Sequence, residues 1–149
     1  MSIVSDWKKV YESDLANIVT ELKENLMIPA VIILSGEVGA GKTTFTRHFC
    51  DIGEISSPTY AMINEIGRLA HADLYRIEDE NDLIHLEIPL YMENKDYFLI
   101  EWGKQWIKQL EREIPDEFNI YELVISVNEP ASTDSGSPSR NYLLSETSE

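Results

Sequence analysis

Apolar residues change their spacing several times along this chain, and each change predicts an element. In "SDLANIVTELKENL", Leu15, Ile18, Val19, Leu22 and Leu26 recur at intervals of three and four, which predicts a helix with one buried face and Ser13 as its cap. "PAVIILSG" follows as an unbroken apolar, β-branched run. It is too short for a buried helix and closes on Gly36, so it predicts a strand covered on both faces, with Pro29 at its start where a missing N–H is tolerated. "KTTFTRHFCDI" reads as a helix stopped near Gly53. "TYAMINEIGRLAHADLYR" alternates like a hairpin turning at Gly67, with Leu69, His71 and Asp73 on one face of the second strand. "DENDLIHLEI" is a short helix whose acidic first turn suits the helix dipole.

"YFLIEW" is a second buried strand, and "GKQWIKQLEREI" a helix with Trp106, Ile107 and Leu110 facing inward. "NIYELVISV" is another strand, and "RNYLLSE" returns as its antiparallel partner after a Ser-, Pro- and Asp-rich stretch. No internal repeat is present. Strands and helices in this order predict an α/β domain with a mixed sheet. The 149 residues make one domain, with residues 129–139 expected as a flexible loop and the C-terminal end as disordered.

Composition narrows the partners. There are 27 Asp and Glu against 12 Lys and Arg, a formal charge of -15, and only Lys8 and Lys9 among the basic residues are adjacent. Phosphate neutralisation by Lys and Arg carries nucleic-acid affinity, so such a chain is unsuited to holding RNA or DNA alone and meets it only through a basic partner. Anionic membrane surfaces are disfavoured for the same reason. A single cysteine, Cys50, excludes an internal disulfide, and no apolar run reaches the ~18 residues of a membrane span, so the cytoplasm is the expected compartment.

The chemistry is concentrated in "GEVGAGKTT". Gly36, Gly39, Gly41, Lys42 and Thr43 complete the pattern G-x-x-x-x-G-K-[ST] between a buried strand and a helix, the context that motif requires. In such a loop backbone N–H groups turn inward on phosphates, the helix adds its positive end, the lysine reaches the β- and γ-phosphates and the Thr hydroxyl ligates Mg2+. Gly36, Glu37, Val38, Gly39, Ala40, Gly41, Lys42, Thr43 and Thr44 are thus the expected cradle for ATP or ADP. A local nest of amides and one lysine works whatever the sign of the global charge.

A P-loop nucleotidase also needs a carboxylate for the Mg2+ shell. Asp73 and Glu101 qualify, each at the C-terminal end of an expected strand, the edge where α/β sheets hold ligands. Each has a plainer reading too, Asp73 as a turn aspartate and Glu101 as an exposed strand end. "SSPTYAM" has the look of a switch segment, in which Thr59 offers a hydroxyl or backbone group to the γ-phosphate or metal; alone, it is an ordinary turn. Trp102 is either core packing or a platform beside the nucleotide. His71, Asp73 and His85 lack the spacing of a transition-metal site.

"LSGEVGAGKTTFTRHF", "SSPTYAMINEI", "HADLYRIEDENDL" and "FLIEWG" stand in the order and approximate spacing of the bacterial TsaE family, formerly YjeE, which the chain resembles from about Leu34 to Trp102. "GEVG" stands where the family commonly has "GDLG", Gly103 where Pro or Ala is usual, and the link from the P-loop helix to "SPTY" is short. The resemblance implies a P-loop NTPase-like, three-layer α/β fold. It also implies an ATPase that assists the TsaD and TsaB pair, which installs threonylcarbamoyl on the adenosine beside the anticodon of ANN-reading tRNAs. By the same resemblance Asp73 is a Walker B-like Mg2+ ligand, Glu101 lies at metal and nucleotide, Trp102 is close by and Thr59 is the switch threonine.

The expected catalytic set is Lys42, Asp73 and Glu101, with Thr43, Asp73 and Glu101 at the metal. No arginine stands where it would neutralise the transition state in cis: Arg47 is a turn down the helix and Arg76 follows "DLY". Slow, partner-stimulated hydrolysis is the expectation. Two alternatives stay open, a small-molecule kinase and an ATP-dependent assembly switch that does not hydrolyse. A GTPase is disfavoured because "NKDY" at 94–97 has Tyr97 where the guanine-reading pattern wants aspartate.

Overall fold

The computed structural model describes residues 2–37, 39–50, 62–128 and 138–147. In chain order these form β1 (Ser2–Val10), α1 (Leu15–Glu24), β2 (Ala30–Ser35), α2 (Lys42–Cys50), β3 (Ile63–Ile66) and β4 (Leu69–Asp73). Then follow α3 (Glu80–His85), α4 (Ile88–Met92), β5 (Tyr97–Glu101), α5 (Ile107–Glu113), β6 (Asn119–Val127) and β7 (Arg140–Glu146). The seven strands make one mixed sheet in the order β1-β7-β6-β2-β5-β4-β3. β2 is central, parallel to β5 on one side and β6 on the other, and every residue in it is buried.

Alternation along β2 supplies two cores. Ile32 and Leu34 pack with Leu15, Val19 and Leu22 of α1 and Phe45 and Phe49 of α2. Val31 and Ile33 pack on the opposite face with Leu83, Ile88 and Met92 of α3 and α4 and Leu110 of α5. Helices on both faces of one sheet give the three layers expected from the sequence. Parallel β2, β4 and β5 end together, so the loop after β2 emerges beside Glu101 and Asp73, which are themselves opposite one another in register.

Several expectations need correction. The N-terminal segment forms β1, which was not anticipated because it is an edge strand with a single buried residue, Val10, and shows no apolar alternation. Ser13 does not cap α1; it lies in a 3-10 turn, Glu12–Asp14, where the Asp14 carboxylate accepts the Tyr11 N–H at 3.1 Å. "GKQWIKQLEREI" starts as another 3-10 turn, Lys104–Trp106, before α5. The acidic helix is two short helices broken at Glu87, whose φ is 54°. Of the loop expected at 129–139, the Ser139 carbonyl accepts the Asn128 N–H at 2.9 Å and Ser139 is buried, while 129–137 lie outside the described residues. Thr59 and the "SPTY" segment also lie outside them, as does Val38.

Candidate nucleotide site

The phosphate loop is shaped by what presses on it. A methyl group on Gly36 would come within 2.6 Å of the Ile125 carbonyl oxygen of β6. Gly41 has φ 104°, a left-handed value that side chains avoid, and a methyl there would lie 2.8 Å from Nε of Arg140. Gly36 is therefore required by the close approach of the β6 backbone, and Gly41 by its own backbone conformation, with the Arg140 side chain of β7 lying against it. Ala40 is buried, Glu37, Gly39 and Thr43 are exposed, and Thr44 is half-buried with its hydroxyl 3.4 Å from Arg47 Nη2.

Lys42 opens α2 and is only 6% exposed. Its ammonium donates to the Gly36 carbonyl at 2.8 Å and stands 3.6 Å from the centroid of the Trp102 ring. Burial pushes its pKa below the ordinary lysine range, while the charges of Glu101 and Asp73 pull the other way. Lys42, Asp73 and Glu101, far apart in sequence, thus converge. A cavity of about 280 Å³ opens beside them, lined by Leu34, Ser35, Gly36, Lys42, Trp102, Lys104 and Gln105.

Glu101 is not an exposed strand end. It is 5% exposed, and its Oε2 lies 2.6 Å from Nε2 of His71, itself 8% exposed. A carboxylate this deep needs a partner, and the imidazole supplies it. The other ring nitrogen, Nδ1, is buried and without a partner among the described residues. Asp73 keeps its turn role as well: Oδ1 accepts the Tyr75 N–H at 3.0 Å, and the carboxylate is exposed on the same edge as Glu101. Trp102 leaves the strand with φ 63° and packs against Tyr75, centroids 5.1 Å apart, at the mouth of the site.

The donor set fits a hard cation shared with a nucleotide. Thr43, Asp73 and Glu101 offer oxygen, which suits Mg2+, an ion that keeps waters and phosphate oxygens in its shell. Among the described residues no group of three His, Cys, Asp or Glu is placed to hold a metal unaided, and His71 is engaged by Glu101. "NKD" lies at the other end of the sheet, before β5, where Lys95 pairs with Glu65 and Asp96 with Arg68.

Sequence reasoning missed two residues. His71 was placed on the face of Asp73, but its bond to Glu101 depends on the β4–β5 register. Arg140 donates from Nε to the Ala40 carbonyl at 2.6 Å, so an arginine that sequence reasoning did not consider braces the loop through its backbone. Nothing in the local sequence signals it, because the two residues are 100 positions apart.

A family model described as "Threonylcarbamoyl adenosine biosynthesis protein TsaE" matches residues 10–132. Similar proteins described as "tRNA threonylcarbamoyladenosine biosynthesis protein TsaE" include that of Bacillus subtilis, 37% identical over 91 residues, covering 56% of each chain. That of Haemophilus influenzae is 35% identical over 83 residues, covering 50% of this chain and 52% of the relative. The chain thus matches little more than half the length of these relatives. The crystal structure of Bacillus subtilis YdiB aligns with a TM-score of 0.60 and 24% identity, covering 97% of this chain and 86% of that one, and shares the fold.

Proposed function

The chain belongs to the TsaE family, and from that premise we propose that it is a Mg2+-dependent ATPase supporting threonylcarbamoyl modification of tRNA, acting with TsaD and TsaB. The observation that carries the reading is the convergence of buried Lys42 with Glu101 and Asp73 at the mouth of a glycine-shaped loop. ATP with its Mg2+ supplies an electrophilic γ-phosphorus and shares the charge that develops on transfer.

The chain's own residues do the rest. The loop amides and the start of α2 hold phosphate oxygens. Lys42, held by a carbonyl and a ring, exchanges those partners for phosphate. Thr43 and Asp73 hold the cation. Glu101, fixed by His71, orients the attacking water, and Trp102 shields the reacting end. Turnover is slow alone, and partner stimulation accelerates it. The charge of -15 favours docking on a basic partner surface, so binding should weaken as salt rises.

The kinase alternative is not favoured, since a kinase lid usually carries several arginines and the 39 residues after Asp73 supply only Arg76 and Arg112. The test is ATP hydrolysis with Mg2+, alone and with purified TsaD and TsaB, with Lys42→Ala as control. Stimulation that vanishes in the variant supports the reading. A chain that binds ATP but neither binds nor responds to the pair rejects it.

A further inference from the structure

We propose that Arg140 is a positioning residue of the phosphate loop, which it holds and polarises through the Ala40–Gly41 peptide. The inference rests on the nucleotide reading of that loop. Three observations carry it. The guanidinium Nε donates to the Ala40 carbonyl at 2.6 Å, a short charge-assisted bond. The same group lies so close to Gly41 that any side chain there would strike it. Ile125, on the neighbouring strand β6, presses on Gly36 at the other end of the loop. The β6–β7 hairpin therefore clamps the loop at two points, and Arg140 is its charged contact.

The bond's geometry gives it a consequence beyond packing. A trans peptide is planar, with its carbonyl and the following N–H pointing in opposite directions. A cation on the Ala40 carbonyl therefore strengthens the Gly41 N–H as a donor on the opposite side of that peptide, as bonds in a chain polarise one another. In the nucleotide reading that N–H belongs to the nest that grips phosphate.

Charge makes the device useful. The Lys42 ammonium is faced by Asp73 and Glu101, two carboxylates against one cation, before any phosphate arrives. Arg140 adds positive charge from the opposite flank, where it needs no contact with the reacting atoms.

The test compares wild type with Arg140→Ala, Arg140→Gln and Arg140→Lys. It reads the Gly41 amide proton shift in the nucleotide-free protein, ADP affinity, and thermal melting as a check on folding. Arg140→Ala should move the Gly41 amide upfield by more than that of Gly39 and weaken ADP on the order of ten-fold. Arg140→Lys, which keeps the charge, should recover most of the affinity, whereas Arg140→Gln, a neutral donor, should not. An unchanged Gly41 shift and ADP affinity in a folded Arg140→Ala protein would overturn the inference. Full recovery by Arg140→Gln would overturn the electrostatic role in favour of simple bracing. If wild type binds no nucleotide, the ATPase reading fails, and the Gly41 shift still judges the Arg140 bond by itself.

Discussion

The loop strand β2 has chemically opposite neighbours. On one flank, β5 and β4 bring Glu101, His71 and Asp73, an acidic group in which the deepest carboxylate is held by an imidazole. On the other, β6 and β7 bring a backbone carbonyl against Gly36 and a guanidinium against Ala40 and Gly41. The first flank has groups able to move a proton or hold a cation. The second has one buried carboxylate, Glu122 of β6, but it is tied to the Ser35 hydroxyl at 2.7 Å at the root of the loop and lies 3.8 Å from Lys104, and the closest contacts of this flank fix the loop's shape. Under the proposed function, turnover belongs to the carboxylate flank and grip to the hairpin flank, with Lys42 between them.

The division breaks most visibly at its centre. Lys42→Ala should weaken ATP by ~10- to 100-fold, since a hydrogen bond to a charged group contributes about 1.5–3 kcal/mol; equilibrium titration with a fluorescent ATP analogue measures it. Because Lys42 stands on the Trp102 ring, ATP should also change tryptophan emission in wild type and not in that variant. Asp73→Asn should remove most of the gain in ATP affinity that Mg2+ provides, about ten-fold, read by calorimetry with and without the ion. A variant that keeps that gain would take Asp73 out of the cation's shell.

His71→Ala sharpens the comparison on the carboxylate flank. It should lower kcat by about ten-fold with ATP affinity unchanged, and His71→Gln, which restores a donor toward Glu101, should regain part of the rate. Loss of affinity instead would merge the two flanks. The smallest effect lies away from both. Burial raises the Cys50 thiol from 9.0 to about 11, against the opposing charge of Lys23, so the folded state keeps its proton longer than the unfolded chain. That contribution to stability is complete below pH 9 and declines as pH rises toward 11. Denaturant midpoints of wild type and Cys50→Ala should converge over that interval.

The two flanks also differ in how far the sequence revealed them. The carboxylate flank is spelled out by strand-end motifs: "LIE" ends an apolar run and "HAD" ends the second strand of an alternating hairpin, and parallel pairing of the two strands places their last residues side by side. β2, α2, the hairpin at Gly67, β6 and β7 were readable for the same reason, since strongly apolar or alternating runs have few alternative uses. β1 escaped because an exposed edge strand buries almost nothing and so carries no pattern. Arg140 escaped because its contact with Ala40 depends on how β7 is carried across β6, information no local window contains. His71 was seen but given no role. Its face was correct, and only the register with Glu101 on the neighbouring strand gave it a partner.

The most direct test of this division is a paired measurement on Glu101→Gln: equilibrium affinity for Mg2+-bound ATP and single-turnover hydrolysis in the presence of TsaD and TsaB. The account predicts affinity within about three-fold of wild type and hydrolysis slowed by ~10²- to 10⁴-fold, the range typical of a lost acid–base group. Wild-type hydrolysis in this variant, or a loss of affinity as large as that of Lys42→Ala, would contradict it.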